Sequence, residues 1–223
     1  MHCRFEDRLA GRALRLDGLL ARIEARAAAE VGPALAAIDA ARRQGHWVAL
    51  LLDYELGEWL LPEATRPAPA GPWTPPRDDG AARLTALVFE RKIDEAPWDA
   101  PAADSAPAAL SIPAPRMLEA DYVRQVDAIR GLIADGELYQ VNYTQPLDLQ
   151  YQGDAATLYR RIAARNPVAH AAFIQDGART VLSFSPELFV ARRGPQLTTR
   201  PMKGTAPRLS LIHISEPTRR RGI

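Results

Sequence analysis

Residues 169–199 read AHAAFIQDGARTVLSFSPELFVARRGPQLTT, four short runs divided by Asp176-Gly177, Ser185-Pro186 and Gly194-Pro195. Runs this short, bounded by such pairs, signal strands: Gly, Pro, Asp and Ser supply the turns, and no run is long enough for a helix. The spacing predicts strands at 169–175, 180–184, 188–192 and 196–199, arranged as an antiparallel meander. Upstream, Asp154 is placed to cap a helix through Leu158 and Ile162 that stops before Asn166-Pro167. Tyr122, Val126, Ile129 and Ile133 recur at helical spacing, with Asp135-Gly136 as the stop. Between these helices Leu138, Gln140, Asn142 and Thr144 alternate with Tyr139, Val141 and Tyr143, which predicts a strand over 138–151 with Pro146 at an edge or bulge. Helices interleaved with antiparallel strands make the fold class α+β.

In the first half, Leu16, Leu19, Leu20 and Ile23 recur every three or four residues, so 15–43 reads as two helices broken at Gly32-Pro33. Trp47–Tyr54 is a continuous apolar run and predicts a strand buried on both faces. Residues 84–92, with Leu87, Val88 and Phe89, predict another strand. Proline-rich stretches at 62–79 and 96–115 read as extended linkers. They place a boundary near Pro115, giving regions 1–115 and 116–208, with 209–223 as a tail.

Composition bounds the function. The chain has 223 residues, 47% hydrophobic and 25% charged, the balance of a globular protein of one or two domains. A formal net charge of +1 gives no general attraction to nucleic acid or to an anionic membrane. The longest apolar run is far short of a bilayer span, so no membrane segment is expected. The single cysteine, Cys3, cannot form an internal disulfide, and no signal peptide pattern follows the N-terminus, which points to the cytoplasm. His2, His46, His170 and His213 stand apart from any Cys or carboxylate at ligand spacing, so zinc is not expected, and no P-loop is present.

Of the 28 basic residues only Lys92 and Lys203 are lysine. Arginine stays charged under ordinary conditions, whereas a lysine in a discouraging environment can lose its proton and act as a nucleophile. Lys203 lies in Arg200-Pro201-Met202-Lys203-Gly204-Thr205-Ala206-Pro207-Arg208, where two prolines fix φ and Gly204 permits close approach to the main chain. With the Thr205 hydroxyl and the Arg208 guanidinium, this reads either as an anion-facing loop carrying a nucleophile or as a solvated turn.

Four segments together resolve the choice: 136–144 (GELYQVNYT), Leu158-Tyr159 followed by Asn166-Pro167, 183–189 (SFSPELF) and 199–208 (TRPMKGTAPR). In this order they resemble the chorismate-utilising enzymes, the family of the anthranilate synthase and aminodeoxychorismate synthase large components. The resemblance implies half of a two-sheet sandwich, chorismate as substrate, Mg2+ as cofactor and a glutamine amidotransferase subunit as partner. It implies that Lys203 is catalytic, that Gly204, Thr205 and Arg208 bind substrate, and that Asn142 and Glu187 give structural or site support. Lysine at position 203 points to aminodeoxychorismate synthase, since anthranilate synthases usually carry alanine there. A non-catalytic module that binds the amidotransferase is the alternative of a different class. The family's tryptophan pocket draws on Asn-Pro-x-Pro-Tyr, whereas this chain reads Asn166-Pro167-Val168-Ala169-His170, a departure that weakens that expectation.

Family members continue well beyond this loop with the acidic magnesium ligands and a general acid, so the resemblance implies an N-terminal piece. Residues 209–219 (LSLIHISEPTR) instead resemble the translation of a sequencing-library adapter; the other reading is a basic tail at Arg219-Arg220-Arg221. On the expectation of a missing half, the 169–199 strands should present an open edge and an exposed apolar face.

Overall fold

The computed structural model describes residues 2–61, 80–102, 109–177 and 179–200. The elements in chain order are β1 (His2–Asp7), β2 (Arg12–Ala25), α1 (Ala28–Arg43), β3 (Trp47–Leu52), α2 (Leu56–Leu60) and β4 (Leu84–Glu95), followed by the two-residue strands β5 (Ala109–Leu110) and β6 (Ala114–Pro115). Then come α3 (Glu119–Ala134), the short β7 (Leu147–Asp148) and β8 (Tyr151–Gln152), α4 (Ala155–Arg165), β9 (His170–Asp176), β10 (Arg179–Ser185), β11 (Leu188–Arg193) and β12 (Gln196–Arg200). The described residues form two units, one of 2–110 with 151–200 and the other of 111–150. The α+β class holds, with antiparallel pairing at every strand contact among the described residues.

The larger unit is built on a six-stranded sheet in the order β10-β9-β1-β2-β4-β3. Side chains alternate across a strand, so the pairings Cys3↔Ile174 and Ile174↔Val181 set one face, and Arg4↔Phe173 and Phe173↔Leu182 the other. On the first face Cys3, Leu16, Ala49, Leu87, Phe89, Ala172 and Ile174 form one buried cluster. These residues come from strands as far apart in the sheet as β3 and β9, which requires the sheet to curl upon itself. The curl is assisted by a register shift in β2 between Leu19 and Ala21. Gly18, just before it, has φ +71°, and an added Cβ would meet Glu90 Oε2 at 2.9 Å, so glycine is required there.

The Phe173 face carries α4. Asp154 accepts from Thr157 N–H at 2.7 Å and from its hydroxyl at 2.9 Å, the expected cap. From α4, Tyr159 and Ala163 pack on Ala171 and Phe173, with Trp98, Leu182 and Phe184 around them. Helix α1 buries Val31, Ala34 and Ile38 against Ala25, Leu84, Ala86 and Leu56.

Several expectations are corrected. Residues 12–25 are strand, not helix: Leu, Ala and Arg favour helices by only tenths of a kcal/mol each, and β2 gains a ladder on both sides. Gly32-Pro33 does not break α1, because Pro33 lies in the second turn and forfeits a single internal hydrogen bond, while Glu30 Oε2 accepts from the amides of Arg26 and Ala27 at the start. Strand β3 is found as expected but at the sheet edge, with Trp47 45% and Leu52 54% exposed; the strand buried on both faces is β4 over Leu84–Phe89. Residues 138–146 are not strand, and only β7 and β8 form beyond them, each against a two-residue partner. The meander is two hairpins: β9-β10 joins the main sheet, and β11-β12 is a separate ribbon. The proline-rich 62–79 lies outside the described residues.

Strand β1, absent from the sequence reading, holds a buried ion network. Arg4 Nε donates to Glu6 Oε1 at 2.7 Å, Arg8 donates to Glu6 Oε2 at 2.7 Å, and the Arg4 and Glu6 side chains are almost wholly enclosed. Arg4 also pairs with Glu95 and donates to the Ala96 carbonyl, and its guanidinium lies 4.9 Å from the Trp98 ring centroid. Trp98 N–H donates to Glu6 Oε1 at 2.8 Å, and Arg15 Nε donates to Glu95 at 2.9 Å. Burial pushes the Glu6 carboxyl up, but the Trp98 amide, Arg4 and Arg8 outweigh it and hold the group below its usual range. Glu95 is lowered first by Arg15, against the opposing effect of burial.

Both carboxyls titrate lower folded than unfolded, so their stabilisation is complete above the unfolded pKa of about 4.3 and is lost as pH falls through the folded values. Urea midpoints should decline gently below about pH 6.5, as the unfolded chain takes up a proton on His2, and more steeply below about pH 4, as the carboxyls are protonated. Glu6→Gln strands two arginines and should cost roughly 3 kcal/mol at pH 7, measured by the same melts, while making the acid limb shallower. A midpoint unchanged by Glu6→Gln would contradict the network's role. Amide exchange gives a second check: an isolated two-stranded ribbon is marginal, so β11-β12 amides should exchange at least tenfold faster than those of β1 and β4.

Candidate functional site

The hairpin β11-β12 delivers the chain to the loop that the sequence singles out. It turns at Gly194, φ +59°, where Arg192 Nε donates to the Gly194 carbonyl at 2.9 Å. Its register pairs Leu188 with Arg200, the last described residue before the loop. Lys203, Gly204, Thr205 and Arg208 themselves lie outside the described residues. Glu187 immediately precedes Leu188 and so stands at the foot of the loop. Its backbone is fixed by Ser185, whose Oγ accepts from Glu187 N–H and donates to the Glu187 carbonyl, both at 3.2 Å. The Ser-Pro-Glu turn thus holds one exposed carboxylate beside the end of β12. Asn142 is exposed in the irregular 138–146 segment of the other unit.

On the open strands the ribbon exposes large apolar groups: Phe189 is 87% and Leu197 68% exposed, and β10 is an edge of the main sheet. This matches the expected open edge and apolar face.

Two features were missed by sequence reasoning. One is an aromatic layer in which Trp98 lies edge-on to Tyr159 and Phe173, with ring centroids 5.8 and 5.3 Å apart, and Tyr159 stacks on Phe184. Tyr159 is fully buried, and burial, with Glu6 nearby, raises its hydroxyl pKa, so it stays protonated. Desolvation, Arg15 and Arg4 lower the His2 imidazole, which favours its neutral form. The signal available was the alternation of residues 2–7 (HCRFED), which sends His2, Arg4 and Glu6 one way and Cys3 and Phe5 the other. Cys3 is buried and its thiol is pushed up to about 12, which makes it inert at neutral pH.

The other is a cleft of about 660 Å³ at one mouth of the curled sheet, bordered by the ends of β1 and β4, the starts of β2 and β9, and Arg193 at the tip of the ribbon. Five separate segments contribute to it, and of these only Ala169-His170 belongs to a stretch that the sequence singles out, 166–170.

Among the described residues no group of three or more His, Cys, Asp or Glu is placed to hold a metal ion. The resemblance expects the Mg2+ ligands beyond the Lys203 loop, outside the described residues. No helix of the described residues is long and apolar enough to cross a membrane.

Comparison with known proteins supplies the family. Residues 17–211 match the family described as chorismate binding enzyme. An aminodeoxychorismate synthase component 1 of Klebsiella aerogenes is 37% identical over 89 residues, 40% of this chain and 20% of that protein. An aminodeoxychorismate synthase of Streptomyces pristinaespiralis is 36% identical over 165 residues, 71% of this chain and 22% of that protein. An anthranilate synthase component 1 of Methanothermobacter thermautotrophicus is 32% identical over 95 residues, 43% of this chain and 20% of that protein. The chain spans about a fifth of the length of the curated relatives it matches. No solved structure matches it. The family match covers most of the chain and includes the Lys203 loop, and on it the protein belongs to the chorismate binding enzyme family.

Proposed function

We propose that this chain is part of the large component of an aminodeoxychorismate synthase, which makes 4-amino-4-deoxychorismate from chorismate and ammonia in the path to 4-aminobenzoate and folate. The observation that carries the reading is Lys203 in the 199–208 segment, reached directly from β12. Alanine at that position would favour anthranilate formation, since no nucleophile would be available on the loop.

The chemistry explains the need for lysine. The ring hydroxyl of chorismate is a poor leaving group, and direct displacement by ammonia requires attack on a dianionic ring. If neutral Lys203 attacks the conjugated ring as the protonated hydroxyl departs as water, ammonia then displaces the lysine, and one hard step becomes two. A free lysine has a pKa near 10.4, so roughly one in a few thousand is neutral at pH 7, and the site must lower that value. In this reading Pro201 and Pro207 each restrict a φ angle, and Gly204, Thr205 and Arg208 are assigned to substrate binding. Glu187, at the foot of the loop, and Asn142 are assigned supporting roles.

Ammonia would come from glutamine through an amidotransferase subunit; the name component 1 of the Klebsiella relative is consistent with a second component. Magnesium belongs to the proposed reaction on the family resemblance, and no step is routed through it.

In a protein of the relatives' full length carrying this segment, Lys203→Ala should lower aminodeoxychorismate formation roughly a hundredfold or more, read by product mass. Normal turnover in that variant would remove Lys203 from the mechanism. The 223-residue chain alone should make no product from chorismate, magnesium and ammonia, and detectable turnover would show that it already holds every group the reaction needs.

A further inference from the structure

We propose that strand β3 is a docking edge for a second copy of this chain, the two β3 strands pairing antiparallel across a two-fold axis. In the order β10-β9-β1-β2-β4-β3, β3 is the last strand among the described residues, so alternate residues direct their backbone N–H and C=O groups away from β4. The edge of a sheet in a lone protein is usually blunted by a charge, a proline or a bulge. Trp47–Leu52 (WVALLL) carries none of these, and its register with β4 runs unbroken from Trp47↔Phe89 to Leu52↔Leu84. Trp47, Leu50 and Leu52 are exposed along it. The opposite edge, β10, differs: it starts at Arg179, paired with Asp53 at 3.4 Å, and carries Thr180, Ser183 and Ser185.

Charge selects the occupant and its direction. Arg42 and Arg43 end α1 just before β3, and Lys92 Nζ lies 5.4 Å from the Trp47 ring centroid. Asp53, Glu55 and Glu58 follow the strand. Arg42 is paired with Asp39, Lys92 with Asp94, Asp53 with Arg179 and Glu58 with Arg83, which leaves Arg43 at the start and Glu55 at the end with no ion pair among the described residues. An antiparallel copy sets these unlike charges together at both ends, whereas a parallel copy would set like against like. The contact is self-complementary and closes after two copies, so no β3 edge is left over.

The side chains select the register. Opposite residues of an antiparallel pair share a face, so the two-fold axis must set one residue of β3 against itself. With the axis at Leu50, Val48 lies opposite Leu52 on the face where Val48 already joins the cluster beneath α1, and Trp47 lies opposite Asp53. With the axis at Ala49, exposed Leu52 would meet His46 and the centre would fall on a buried alanine. The Leu50 register is the one that covers the exposed leucines. It rests on the sheet alone and is independent of the proposed lysine chemistry.

The test is sedimentation of the 223-residue chain over a range of concentrations, which should show a reversible dimer. Leu50→Lys sets two ammonium groups against each other at the axis and should raise the dissociation constant at least tenfold, with the far-UV circular dichroism spectrum unchanged. Phe189→Lys, on the ribbon, should leave the dimer as it is. Leu50→Cys, with Cα atoms roughly 4.5–5.5 Å apart across the pair, should give a disulfide-linked dimer on mild oxidation, while the parent chain, whose Cys3 is buried, should not. If Leu50→Lys loses the native spectrum, cross-linking of Leu50→Cys decides alone. The proposal is overturned if the chain stays monomeric up to about 1 mM, if it forms a growing series rather than a dimer, if folded Leu50→Lys associates as tightly as the parent, if Phe189→Lys abolishes the dimer, or if Leu50→Cys does not cross-link.

Discussion

A buried arginine on the first strand constrains the larger unit more than any apolar contact does. Arg4 and Glu6 are enclosed on the same face of β1, and charges in such a place are tolerable only when each finds partners. The partners come from far along the chain: Glu95 at the end of β4, the Ala96 carbonyl and the Trp98 amide. One pair therefore fixes the start of the chain, the exit of β4 and the segment that follows it. The Trp98 ring, held under Arg4, then packs against Tyr159 and Phe173 and locates α4. The β9-β10 hairpin is thereby set beside β1 and leads through Ser185-Pro186 to the ribbon that ends at Arg200.

Local chemistry was legible in the sequence where it was self-contained. Asp154 and Asn166-Pro167 mark both ends of α4, Asp135-Gly136 ends α3, and the turn pairs after Gln175 and Arg193 place four strands. What was not legible depended on distant partners. The leucines of β2 satisfy helical spacing as well as strand alternation, and only pairing with β1 and β4 decides between them. Residues 138–146 alternate well, yet alternation does not supply a neighbouring strand. The apolar runs of β3 and β4 look alike, and their places at the edge and in the interior follow from the strand order.

The same division applies to function. The loop around Lys203 is a contiguous motif, so the proposed chemistry rests on sequence alone, and the family match spans that loop. The mouth cleft draws on residues spread from Phe5 to Arg193 and became visible only once the sheet was curled. Glu187 lies between these cases: the Ser-Pro-Glu turn was noted in sequence, but its position at the foot of the loop follows from the pairing of Leu188 with Arg200.

The most direct measurement of the central claim is covalent trapping on a protein of the relatives' full length carrying this segment. Chorismate would be supplied without any ammonia source, the reaction quenched, and the protein digested and mapped by mass spectrometry. The account predicts an adduct of chorismate less one water on the peptide containing Lys203, disappearing when ammonia is restored. Ammonia-dependent product formation with the Lys203 peptide unmodified throughout, or with an adduct on a different residue, would contradict it.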